Sequence, residues 1–337
     1  MIIDAHTHGC YGGNLEGIES AGGDWAKKNI ERLVRVTPKK PHFFDPVLRV
    51  EMMDRNGFDF QVVTPPNYLD PNCMPADSSA QLQLAKAVNE NMTRLSEVSG
   101  GRLIGIGTIP LIDFEKGPSK ELERAIRTLG LKGINLPSNV FGRPLDAPEF
   151  EPFWAQASAM GVPVFIHPVD PEPQRDRAYE KEYDMTHNFG WPFETILTLA
   201  RLVFSGVMGK YPEMKIISHH LGGGIPFLWG RISETYASNN REGHPERNLS
   251  PHLTKPLYDY FRSFYYDTAV GGGGPAVRCT REVFGADRIV FATDAPWGPG
   301  TGEVRLVNYP EVIRSLGFTN EENDKIFAGN IRNVLGL

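Results

Sequence analysis

The chain alternates short apolar runs with longer amphipathic stretches from one end to the other. Eight runs read as strands, at residues 1–5, 60–64, 103–109, 133–136, 162–166, 215–218, 264–267 and 288–292. They are rich in Val, Ile and Phe, and most are bounded by Gly, Pro or polar residues. Helical patterns separate most of them. The clearest spans 78–98, where Leu82, Ala85, Val88, Met92 and Leu95 recur at spacings of three and four. The others cover 48–55, 120–129, 149–160, 192–207, 227–236, 276–284 and 320–335. Strands alternating with helices point to a parallel α/β fold. Eight such units close most naturally as a (β/α)8 TIM barrel, and nothing divides residues 1–337 into separate domains.

In such a barrel the loops that follow strands build the active-site face. Three are long here: 9–46, 168–190 and 238–256. Candidate chemistry sits at the strand ends. The first strand runs into Asp4-Ala5-His6-Thr7-His8. Residues i and i+2 of a strand project from one face, so His6 and His8 converge at the mouth. Two imidazoles there suit a borderline metal such as zinc; a pair of polar turn residues is the plainer alternative. The fifth run ends in His167, and the eighth runs into Asp294. Alone, His167 reads as a core histidine and Asp294 as a helix cap. Together with His6 and His8 they make three imidazoles and one carboxylate. That set leaves a divalent ion with a position open for water, whose pKa falls to about 7. The sixth run ends in His219-His220, followed by Leu221-Gly222-Gly223-Gly224. Alternation allows at most one of these histidines to face the mouth. The glycines let the backbone pass close to a ligand or take positive φ.

Composition narrows the field. A 337-residue chain that is 40% hydrophobic and 23% charged suits a soluble globular protein. A net charge of -6 argues against a general nucleic-acid binder, which would carry a basic stripe. An anionic small molecule needs only a few local arginines. Cys10, Cys73 and Cys279 are far apart and form no C-x-x-C pair, as expected of a reduced, cytoplasmic setting. No basic start leads into an apolar run, and no stretch of about 18 apolar residues occurs, so neither a secretory signal nor a membrane span is expected.

On these motifs the chain resembles the amidohydrolase superfamily, in the branch of 2-amino-3-carboxymuconate 6-semialdehyde decarboxylase and gamma-resorcylate decarboxylase. The markers are D-A-H-T-H at 4–8, F-I-H-P at 165–168, H-L-G-G-G-I-P-F at 220–227 with G-R-I at 230–232, F-A-T-D at 291–294 and A-G-N at 328–330. The resemblance implies that His6, His8, His167 and Asp294 hold the metal and that His220 is catalytic. It implies that Arg231 stands near a substrate carboxylate, in some relatives across a dimer interface, and that the protein is a homodimer. His219 is expected behind a ligand or in the core. Two-metal members of the superfamily carry a bridging lysine at the end of the fourth strand. Here that strand ends Ile134-Asn135-Leu136-Pro137, which favours one metal.

The expected function is metal-dependent, non-oxidative decarboxylation of an aromatic or muconate-type acid. His220 acts as the base, and Asp294 both ligates and relays a proton. Zinc is the expected ion; manganese, cobalt and iron are compatible with the same donors. The same fold and metal would also serve a hydrolase or hydratase acting on a lactone, ester, amide or alkene. His187, Trp191 and Trp297 are candidate substrate contacts, with Phe189 a further candidate wall. Arg231, Arg241 and Arg247 lean toward an acidic substrate. His42, His244 and His252 read as loop residues without a role.

Overall fold

The computed structural model describes residues 1–14, 17–19, 22–75, 77–170, 182–237 and 249–337. Arg241, His244 and Arg247 lie outside the described residues. Eight parallel strands follow the chain in order. They are β1 (Ile3–His8), β2 (Phe60–Thr64), β3 in two pieces (Leu103–Gly105 and Gly107–Thr108), β4 (Ile134–Pro137), β5 (Val164–His167), β6 (Ile216–Ser218), β7 (Tyr265–Asp267) and β8 (Ile289–Val290). Each pairs with the next. At the break in β3, Ile106 N donates to Val63 O and Gly107 N to Gly133 O, so the strand passes from one neighbour to the other. The ring closes where β1 meets the chain after β8. There Ala5 N donates to Phe291 O at 2.7 Å, Asp294 N to His6 O at 3.0 Å and His8 N to Ala295 O at 2.8 Å. The result is the expected (β/α)8 barrel. Helices including Ser78–Val98, Glu151–Met160, Trp191–Phe204 and Gly274–Phe284 lie between the strands.

Alternation along each strand sorts side chains into two buried sets. One faces the helices and is the larger. The other gathers Ile3, Ala5, Val62, Phe165, Ile217 and Val290 with Ile331 and Val334 of the C-terminal helix, filling the barrel. By strict alternation β1 would then turn Ile3 and Ala5 inward and His6 and His8 outward. A bulge reverses this. Asp4 pairs with Gln61 and Thr7 with Val63, so β1 carries one extra residue against β2. Such a bulge re-aims side chains, and it brings His6 and His8 to the inner face.

Arg49, on the helix Pro46–Arg55, braces this region from outside while being fully buried. Its guanidinium donates to Gln61 Oε1 and to the carbonyl oxygens of His8, His42 and Ala295. Gln61 in turn donates to Asp4, which accepts from the backbone and hydroxyl of Thr293. Burial pushes the Asp4 carboxyl up to about 7, against the pull of the Thr293 bonds and the Arg49 charge. Removing one charged partner from such a network leaves buried acceptors without donors. Arg49→Met is expected to lower unfolding stability by about 3–5 kcal/mol in denaturant titrations.

The predicted strands are all present, within a few residues of their expected bounds. Helices stand where none was expected, among them Gly23–Val36, Leu257–Ser263 and Glu303–Arg314. Gly23–Val36 lies in the long loop after β1 and buries only Ala26, Asn29 and Leu33, too narrow a face to read in the sequence. Glu303–Arg314 contains Pro310, which normally marks a helix end.

Candidate metal centre

Five histidines meet at the C-terminal mouth of the barrel. Coordinating atoms of His6, His8 and His167 all lie within 4.8 Å of one another. Each ring is fixed by its Nδ1. His6 Nδ1 donates to Asp267 Oδ2 at 2.9 Å, and His167 Nδ1 donates to Pro168 O at 2.8 Å. His8 Nδ1 lies 3.2 Å from Thr64 Oγ1, whose own proton goes to Thr7 O, so the imidazole is the donor. With the Nδ1 positions protonated, the Nε2 atoms of neutral rings carry bare lone pairs. Burial, then the charge of His219, pushes His6 down to about 3, and burial holds His167 well below the usual range. These rings are neutral near pH 7. Even so, the Nε2 atoms of His6 and His8 face each other at 3.1 Å. Two lone pairs at that distance repel unless a cation lies beside them, so the donor set fits a metal ion.

Asp294 follows β8 with a positive φ of 61°. Its Oδ1 lies 3.3 Å from His8 Nε2. Burial would raise this carboxyl, but its contact with His8 and the surrounding imidazole cluster outweighs that and holds it well below the usual carboxylate range. It is therefore an anion beside the ring nitrogens of His6, His8 and His167, which is the set expected from the sequence.

His220 reaches the same place by another device. The strand β6 stops at Ser218, and His220, Leu221, Gly222 and Gly223 all take left-handed backbone (φ 58°, 51°, 68° and 66°). This turn swings His220 back toward His167, with ring centroids 5.5 Å apart. Gly223 is required here, because a Cβ would lie 2.1 Å from Pro192 O. His220 Nδ1 donates to Ala269 O at 2.7 Å, which leaves Nε2 turned to the pocket. The expectation that only one of His219 and His220 faces inward was too strict. His219 stays on the inner face, fully buried and stacked 3.5 Å from the His6 ring. Alternation fails because the left-handed turn begins between the two.

The amidohydrolase family matches residues 3–337. The chain belongs to this family. It is 30% identical to 2-amino-3-carboxymuconate-6-semialdehyde decarboxylase of Dictyostelium discoideum, over 87% of this chain and 77% of that one. It is 27% identical to gamma-resorcylate decarboxylase of Polaromonas sp. (strain JS666), over 86% of each. Its fold matches the crystal structure of dihydroxybenzoic acid decarboxylase from Polaromonas sp. JS666 with bound manganese and the inhibitor 2-nitroresorcinol. The TM-score is 0.79 at 24% identity, covering 100% of this chain and 97% of that one.

In this amidohydrolase one residue ties the histidines together, and the sequence reading assigned it no role. Asp267 ends β7 at 0% exposure. Its Oδ2 accepts from His6 Nδ1 and from His219 Nδ1 (2.6 Å), and its Oδ1 accepts from the backbone of His220 (2.8 Å) and Ala269 (2.9 Å). Burial alone would raise its pKa; the bonds from His219 and His6 outweigh that and hold it well below the usual value. The strand-end rule that found His167 and Asp294 would also have found it. Asp267→Asn puts an amide where an N–H donor must be accepted. The expected result is a 10–100-fold (order-of-magnitude) weaker metal affinity, read by competition with a chromophoric chelator.

A cavity of about 820 Å³ opens above these residues, with His8, His167, His220 and Asp294 in its lining. Trp191 and Trp297 both line it. Trp191 stands edge-on to His167 at 5.5 Å, and Trp297 lies 6.4 Å from the His8 ring. His187 also lines it, packed on Trp191 at 4.4 Å and bonded to Asp184. Phe189 is exposed and stands outside the lining. Arg231 is exposed on the helix Ile225–Ala237 and does not reach the pocket of its own chain. The helix turns it away, while Phe227, one turn earlier, joins the rim. Among the described residues, the arginines that do line the pocket are Arg32 and Arg305, each on a helix the sequence pattern did not reveal.

Proposed function

We propose that this amidohydrolase is a metal-dependent, non-oxidative decarboxylase of an aromatic or muconate-type carboxylic acid, built as a single barrel domain over residues 1–337. The observation that carries the reading is the Nε2 of His220, facing the same pocket as the imidazole set with its Nδ1 locked on Ala269 O. The decarboxylases among its relatives support the reaction class. His6, His8, His167 and Asp294 would hold one divalent ion. When bound, such an ion acts as a Lewis acid on substrate oxygens. His220 carries a proton at Nε2 and delivers it to the carbon that bears the carboxylate. The new C–H bond takes a π pair from the unsaturated system. The bond to the carboxylate then breaks, its electron pair returns to that system, and CO2 leaves. No oxidant or organic cofactor enters this balance.

The ion we assign is zinc, on the imidazole-rich donor set. The manganese bound in the Polaromonas relative supports manganese as the alternative. We assign a homodimer on the exposed Tyr183 and Phe227 beside the pocket, with Arg231 serving the neighbouring subunit. The cytoplasm is the compartment we assign, on Cys10, Cys73 and Cys279 forming no disulfide. No helix among the described residues is long and apolar enough to cross a membrane. The partner is a small carboxylic acid rather than a nucleic acid.

The test is CO2 release over a panel of hydroxybenzoates and muconate-type acids, using protein of measured metal content. Release from one class names the substrate type. A fully metallated protein that releases none across the panel removes the decarboxylase reading in favour of hydrolysis or hydration, with lactones and esters assayed next.

A further inference from the structure

Among the described residues the pocket is lined by two permanent cations, and they are placed very differently. Arg32 lines it with its guanidinium over the Tyr68 ring, 4.6 Å from the centroid. Arg305 reaches to the floor. Its Nη1 donates to Asp294 Oδ2 at 2.8 Å and to Thr293 O at 3.1 Å, and its side chain is 20% exposed. Asp294 is thereby divided: Oδ1 is turned to His8, and Oδ2 is held by the arginine. A guanidinium has five N–H donors in a fixed fork. Both of these bonds leave from Nη1, and neither uses Nη2.

The surroundings are built to hold this side chain. Gly298 has φ +99°, and a Cβ there would lie 2.4 Å from Arg305 Nε. Lys40 Nζ donates to Gly298 O at 2.9 Å and to Gly300 O at 2.6 Å, pinning the segment that packs on the guanidinium. Trp297, which lines the pocket, is bonded to Asp294 through its backbone N–H. One fork of Arg305 is thus committed to Asp294, while the residue itself borders the space where a planar acid would lie against Trp297.

We propose that Arg305 reads the anionic group of the substrate. Nη1 holds Asp294, and Nη2 pairs with a carboxylate or phenolate oxygen of an aromatic or unsaturated acid. The inference rests on the acid-substrate reading above. It makes Arg305, rather than the Arg231 expected from the sequence, the anion contact contributed by the chain's own pocket.

The test uses calorimetric binding of 2-hydroxybenzoate and of neutral 2-hydroxybenzamide to metal-saturated protein. Wild type is expected to favour the acid by at least about 10-fold. Arg305→Met is expected to cut that preference by about 10-fold, and Arg305→Lys to restore only part of it, since lysine keeps the charge and loses the fork. Gly298→Ala moves the guanidinium without deleting it and is expected to act in the same direction. It also carries the test if Arg305→Met does not fold. Metal affinity, measured separately by chelator competition, reads the grip on Asp294. A variant with weakened metal affinity and an unchanged acid-over-amide preference would make Arg305 a holder of Asp294 alone and overturn the proposal. A wild type with no preference would instead remove the acid-substrate reading and this inference with it.

Discussion

His220→Asn is expected to lower CO2 release by about 10²–10⁴-fold, the usual span for loss of a positioned general acid–base group. Metal content should stay at the wild-type level. The choice of asparagine follows from the backbone. His220 sits at φ 58°, where asparagine is among the few non-glycine residues tolerated, so the left-handed turn survives. The amide can still bond Ala269 O, which removes the base without collapsing its support. Turnover and metal stoichiometry measured on the same sample decide the matter. A variant within about 10-fold of wild type at equal metal content would take proton transfer away from His220.

Stripping the metal is the second large effect. Chelation is expected to bring CO2 release to background, and one equivalent of zinc or manganese to restore it. His8→Ala should not respond to the added ion, because it deletes one of the two Nε2 lone pairs that face each other at 3.1 Å. Stability gives an independent readout. An ion present at 1,000 times its dissociation constant stabilises the fold by about 4 kcal/mol, so the wild-type melting temperature should rise on loading while that of His8→Ala stays put. Full turnover in protein carrying less than about a tenth of an ion per chain would contradict a metal-dependent mechanism.

Much of this site is legible in the sequence. His167 and Asp294 follow apolar runs that the structure makes into β5 and β8, and parallel strands share one C-terminal mouth, so strand ends far apart in the chain had to converge. Asp267 obeys the same rule, standing last on β7. The glycines after His220 announced an unusual backbone, and Gly223 does lie where any side chain would strike Pro192. Arg305 gave no local signal. It follows Asp294 by eleven positions on a helix interrupted by Pro310, and its partner is reached only through the fold.

By itself, then, the sequence determined the eight strands, their parallel order and the imidazole and carboxylate residues at their ends, because strand pattern and residue chemistry are local properties. The tertiary structure decided which way those groups point. A one-residue bulge in β1 turns His6 and His8 into the barrel, and a left-handed turn brings His220 in beside His219. Ring closure sets Asp267 behind the histidines and Arg305 on Asp294. The physical reason is that register, backbone handedness and contacts across the ring are fixed by pairing with distant strands and helices, and no window of neighbouring residues encodes them.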